Sequence, residues 1–189
     1  MASPPTCVLG GTFDPVHLAH LRLARAALEA YAPRLVLWVP TGAPGYRNAP
    51  VACATHRLAM LRLALAGESR FAIDDRELAP GASGYTYDTL CALRAELPPG
   101  TPLVLLIGAD QYAAIETWHR WRDLLAEFRV AVAARPGWQA PDARVETFAM
   151  APSEVSASAI RTRIAAGGDV SALLPPPVLD YIRTNHLYR

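Results

Sequence analysis

Two histidines three residues apart, His17 and His20, close the stretch GGTFDPVHLAH at residues 10–20. That separation sets both imidazoles on one face of a helix, one turn apart. The stretch follows a short apolar run, so it reads as the turn between a first strand and a first helix. Gly10 and Gly11 let the backbone approach a ligand closely or take a positive φ. Phe13, Asp14 and Pro15 make a stiff turn, since Pro15 fixes its own φ and restricts Asp14. A helix starting there points its free N–H groups and positive dipole end at the turn, which makes an anion site. The imidazoles add donors that reach phosphate oxygens. Two other readings of these residues stay open: a packed turn with two solvated histidines, or a metal site. Zinc wants three protein ligands, and no third Cys, His or carboxylate is placed to complete the pair, so no metal-ligating set is expected.

A second cluster lies near the C-terminus, in VSASAIR at 155–161. Ser156 and Ser158 precede a helical pattern, so hydroxyls and free N–H groups converge there. Arg161, about a turn further on, offers a charged fork for phosphate. A plain Ser-capped helix with a surface Arg is the alternative, and Arg163 reads as a solvated neighbour. Paired with the first motif, this helix start would face the same anion from the opposite side. Asp110, just past Gly108 at the end of another apolar run, suits a ribose hydroxyl, a Mg²⁺ position or a helix N-cap.

Apolar bursts alternate with helical patterns along the chain. Strands are expected at Thr6–Gly10, Leu35–Val39, Phe71–Ile73, Leu103–Ile107, Phe128–Ala134 and Arg144–Phe148. Helices are expected at Val16–Ala32, Thr55–Ala66 with Thr55 as N-cap, from about Ser83 to Leu97, Trp118–Glu127, Ser158–Ala166 and Pro176–Leu187. A Pro- and Gly-rich loop spans residues 40–54. The alternation predicts an α/β fold: one doubly wound, Rossmann-like domain over 1–189, with a mostly parallel sheet and helices on both faces. The helical part from about 156 to 189 packs on it. Ligands of such a sheet bind at the carboxyl ends of its strands.

With 189 residues, 52% hydrophobic and 19% charged, the chain is globular. A net charge of +1 speaks against a broad nucleic-acid footprint. All 18 basic side chains are Arg, which excludes a Schiff-base or P-loop lysine. Cys7, Cys53 and Cys91 form no CxxC pair and suit a reducing cytoplasm. MASPPTCVLGG lacks a basic, apolar leader pattern, and the run LVLLIGA at 103–109 is too short to span a bilayer, so neither export nor a membrane is expected.

GTFDPVHLAH resembles the GxFxPxHxGH signature of the nucleotidyltransferases with an (H/T)xGH motif, Ala19 standing where that family has Gly. VSASAIR is similar to their ISSTxIR signature, with Val155, Ala157 and Ser158 as substitutions. HRLAMLRLAL (56–65), GYTYDTL (84–90), IGAD (107–110), the Trp118 region, RPG (135–137) and LLPPPVLDYIRTNHLYR (173–189) extend the likeness over nearly the whole chain. These resemble the bacterial-type nicotinate-nucleotide adenylyltransferases. The resemblance implies AMP transfer from ATP to nicotinate mononucleotide, with Mg²⁺ carried by ATP. It implies ATP binding by Gly10, Gly11, Thr12, Phe13, His17, His20, Gly108, Asp110, Ser156, Ser158 and Arg161, with His17, His20 and Arg161 catalytic. Asp110 falls on the adenosine side.

For the mononucleotide it implies Arg47 and Arg135 at phosphate, with Tyr46 where the family often has His. Tyr85 and Trp118 are flat partners for a pyridine ring, and Thr86 at a helix start supplies donors to its carboxylate. A monomer or small homo-oligomer is expected. The rivals are a relative taking nicotinamide mononucleotide or another phosphate acceptor, and a noncatalytic nucleotide sensor. His56, His119 and His186 match no ligand role.

Overall fold

The computed structural model describes residues 3–42, 49–134, 138, 140, 142–151, 153 and 155–189. The described strands are β1 (Thr6–Gly11), β2 (Leu35–Pro40), β3 (Phe71–Ile73), β4 (Leu103–Gly108), β5 (Arg129–Ala134) and β6 (Val145–Ala149). They form one sheet in the order β3-β2-β1-β4-β5-β6, and every neighbouring pair is parallel. The helices are α1 (Leu18–Tyr31), α2 (Ala54–Leu65), α3 (Thr86–Glu96), α4 (Ala109–Ala113), α5 (Trp121–Glu127), α6 (Ala157–Ala165) and α7 (Pro176–Thr184).

Strand periodicity explains the two covered faces. Cys7 and Leu9, Val36 and Trp38, and Val104 and Leu106 all point into one core, which also holds Leu21, Leu28, Met60, Ile160, Val178 and Ile182. The alternating residues Val8, Val39, Leu105 and Ile107 point into a second core with Leu90, Leu93, Leu124 and Leu125. Burial on both faces is why these strands are apolar throughout instead of alternating. The C-terminal helices α6 and α7 share the first core with the sheet. No helix among the described residues is long and apolar enough to cross a membrane.

Element existence follows the apolar pattern, and the boundaries shift for local reasons. His17 has extended backbone, φ −142° and ψ 172°, so it is the N-cap and α1 starts at Leu18 instead of Val16. Cys53, not Thr55, caps α2. A 3₁₀ turn at Ile115–Thr117 delays α5 to Trp121, and the short α4 has too few residues to show a helical period. After α7 the chain turns back through His186 (φ 53°) and Tyr188 (φ 65°), with the Leu187 N–H donating to the Ile182 carbonyl, so the helix ends at Thr184 and not Leu187.

Arg57 on α2 ties three segments together at the carboxyl edge of the sheet. Only 1% exposed, it donates through NH1 to the carbonyls of Thr12 (2.6 Å) and Thr41 (2.8 Å), and through Nε to that of Ala52 (3.2 Å). Burial lowers its pKa and nearby Asp14 raises it, and it stays a cation. Replacing it with Met would leave three carbonyls without this donor. Arg57→Met is expected to lose about 3 kcal/mol or more of stability, read as a lower urea midpoint at unchanged slope.

Candidate active site

β1 and β4 are neighbours from which the sheet winds in opposite directions, and the crevice between their carboxyl ends is where such sheets take ligands. A cavity of about 670 Å³ opens there. Gly10, Gly11, Thr12, Phe13, His17 and His20 form one wall, Gly108 and Asp110 another, and Ser156 and Arg161 a third. The two motifs, more than a hundred residues apart in sequence, thus face one space.

The first turn is built differently from what its glycines suggest. The positive φ falls on Phe13 (49°), not on Gly10 or Gly11. A Cβ on Gly11 would lie 2.9 Å from the Phe13 ring, so that glycine makes room for the turn. A Cβ on Gly10 would meet nothing within 4 Å, so its backbone is open to the cavity. The Asp14–Pro15 peptide is cis. Phe13 packs edge-on against His20, ring centroids 5.0 Å apart, and against Trp38 at 5.4 Å.

The imidazoles of His17 and His20 are stacked, centroids 3.7 Å apart and planes 19° apart. The His17 backbone N–H donates to His20 Nδ1 at 3.2 Å, which leaves the His20 proton on Nε2 as a donor. His17 is 5% exposed, and its Nδ1 has no hydrogen-bond partner among the described residues. Burial pushes the His17 pKa down to about 4. Burial, then repulsion from His17, lowers that of His20 as well. Both rings are therefore neutral near pH 7, and the cause is loss of water, not the helix end.

Fewer α1 N–H groups are free than the sequence suggests. The Leu18 N–H donates to the Leu173 carbonyl at 3.0 Å, and the His20 N–H to the His17 carbonyl. At α6, Ser156 caps the helix by accepting from the Ala159 N–H at 3.2 Å, and Ser158 Oγ lies 3.3 Å from Ser156 Oγ. Ser156 lines the cavity, and Ser158, expected to bind ATP, does not. Arg161 is docked on the first motif: its NH1 donates to the Asp14 carbonyl at 2.7 Å.

Gly10, Gly11 and Gln111 also wall a smaller cavity on the other side of β1. Thr86 and Trp118 line it, while the Tyr85 ring stacks on His119 at 4.1 Å and is not part of that wall. His56 pairs with the Tyr181 hydroxyl between α2 and α7. Tyr46, Arg47 and Arg135 lie outside the described residues. Asp14, Arg57, Glu77 and Thr89 escaped sequence reasoning. Buried Glu77 accepts from the Thr89 hydroxyl at 2.6 Å in the smaller cavity. An Asp inside a helix-start motif and an Arg in an otherwise apolar helical stripe were the available signals.

Residues 8–163 match the family model described as cytidylyltransferase-like. A Laribacter hongkongensis protein named "Probable nicotinate-nucleotide adenylyltransferase" is 44% identical, covering 96% of this chain and 93% of its own. One of the same name from Dechloromonas aromatica is 41% identical over 99% of each chain. The solved Plasmodium falciparum nicotinic acid mononucleotide adenylyltransferase complexed with NaAD has the same fold, with a TM-score of 0.80, 20% identity and 97% of both chains covered.

Free histidine titrates near pH 6.5, and folded His17 near 4. Between these values the unfolded chain binds a proton that the folded chain does not, so stability falls as pH drops. The melting temperature of the ligand-free protein should decline from pH 6.5 toward 4, and less steeply in His17→Asn. A flat profile would mean charged imidazoles in the cavity.

Proposed function

We propose, from the premise that this chain belongs to the cytidylyltransferase-like family and within it to the nicotinate-nucleotide adenylyltransferases, that it transfers AMP from ATP to nicotinate mononucleotide. The products are nicotinate adenine dinucleotide and pyrophosphate, a step of NAD biosynthesis. The observation that carries this reading is the pair of cavities meeting at Gly10 and Gly11, one with His17, His20 and Arg161, the other with Thr86 and Trp118. A donor and an acceptor nucleotide seated on either side of β1 would bring their phosphates together at that glycine pair.

The acceptor phosphate attacks the α-phosphorus of ATP in line, and pyrophosphate leaves. A phosphate monoester is already largely dianionic at neutral pH, so no general base is required. Catalysis then rests on positioning and charge stabilisation. His20 donates from Nε2, fixed by its Nδ1 bond to the His17 backbone. A triphosphate raises the depressed imidazole pKa values. Rings stacked at 3.7 Å cannot both become cations without strong repulsion, so the pair takes up one proton at most. Arg161 and the start of α6 hold the leaving pyrophosphate.

Mg²⁺ would be carried in by ATP, held mostly by phosphate oxygens and water, and would offset charge on the phosphates. Among the described residues no three His, Cys, Asp or Glu lie together as a metal cage. Gly108 and Asp110 face the adenosine end. At the acceptor side, Trp118 stacks on the pyridine and the α3 start meets its carboxylate, with Arg47 and Arg135 assigned to phosphate. Three free thiols fit a reducing cytoplasm.

Pyrophosphate release from MgATP, measured in parallel with nicotinate and nicotinamide mononucleotides, tests the reading. Strong preference for nicotinate is expected, because donors that meet a carboxylate are left unmatched by an amide. Release with neither would favour a nucleotide sensor. His17→Ala should cut turnover about 100-fold or more, on the order of 3 kcal/mol, with the fold retained.

A further inference from the structure

Asp14 sits inside the first motif, is 3% exposed, and has its carboxylate held by three donors from distant segments. Oδ2 accepts from the Val51 N–H at 2.7 Å. Oδ1 accepts from the Ala52 N–H at 3.1 Å and from the Tyr188 hydroxyl at 2.7 Å. The Tyr188 contact spans 174 residues, and Tyr188 is itself only 8% exposed, seated on the first core by the turn after α7.

Arg161 meets the same residue at a different atom. Its NH1 donates to the Asp14 carbonyl at 2.7 Å but stays 3.9 Å from Oδ2, beyond hydrogen-bond range. A buried carboxylate that loses a donor seeks a replacement, and a guanidinium is the strongest one within reach. A closed Asp14–Arg161 pair would take the cation away from any phosphate in the cavity.

We infer that Tyr188 is a positioning residue for the ATP site: its hydroxyl satisfies Asp14 and so keeps Arg161 open to polyphosphate. Rotation of the Asp14 carboxylate by little more than 1 Å would be enough to close the pair, given the 3.9 Å separation and an ordinary charged hydrogen bond of about 2.8 Å. The other donors of Asp14 are backbone N–H groups of residues 51 and 52, which Arg57 braces through the Ala52 carbonyl. Only the side-chain donor can be removed without moving the chain. The inference rests on the reading that ATP occupies the larger cavity, and it does not depend on the acceptor.

Tyr188→Phe keeps the ring and deletes the donor. Calorimetry with inorganic tripolyphosphate, alongside the melting temperature and steady-state kinetics, reads the effect. Tripolyphosphate affinity should fall about tenfold, with the KM for ATP rising in step and the KM for the mononucleotide within about twofold of the parent. In an Arg161→Ala background the same change should cost less than about twofold, because the cation being protected is gone. The inference is overturned if Tyr188→Phe binds tripolyphosphate like the parent, if both substrates weaken together, or if the loss persists without Arg161. A parent protein that binds tripolyphosphate but makes no dinucleotide would instead sink the acceptor reading and leave this one standing.

Discussion

A buried carboxylate needs donors, and at Asp14 nearly everything at the carboxyl edge of the sheet is arranged to supply them. The residue lies between Phe13, whose backbone is held at positive φ, and Pro15. Its side chain draws in the peptide N–H groups of Val51 and Ala52 and the hydroxyl of Tyr188, while its carbonyl anchors Arg161. An unsatisfied charge there would cost several kcal/mol, so each donor that reaches the carboxylate helps hold these segments together. Arg57 works as its counterpart from the other side, gathering carbonyls where Asp14 gathers N–H groups. Between them they set the shape of the turn that carries the histidines.

That scaffold explains the character of the cavity. Its imidazoles are kept neutral by burial, stacked on each other with Phe13 edge-on against His20. A neutral pair does not repel the Arg161 guanidinium across the same space, and it can gain a proton when polyanion enters. On the function proposed above, the fixed cation would attract phosphate at any pH, while the imidazole pair would respond to what has bound. Such preorganised donors stabilise developing charge without reorganising as it forms.

Much of this was legible in the linear sequence. The apolar bursts at Leu35–Val39 and Leu103–Ile107 announce buried parallel strands, since a strand covered on both faces has no polar side to display. The pairing of His17 with His20 was legible from their spacing, but not its form: His17 is the extended N-cap of α1, and the rings stack across the cap instead of along one helix face. Ser156 as a cap and Arg161 a turn later follow from the same local rules. What misled was also local: Gly10 and Gly11 pointed to a positive φ that fell on Phe13, and α1 promised more free N–H groups than Leu173 leaves it.

The sequence alone therefore determined the winding of the sheet and the residue types at the two helix starts, because strand and helix periods of two and of three to four residues are local. Only the tertiary structure decided that Arg161 shares a cavity with the histidines, that Tyr85 rests on His119 instead of lining the smaller cavity, and that Asp14, Arg57 and Tyr188 hold the turn in place. Those outcomes depend on contacts between residues up to 174 positions apart. A buried charge chooses its partners by what surrounds it after folding, and nothing in its neighbours along the chain records that choice.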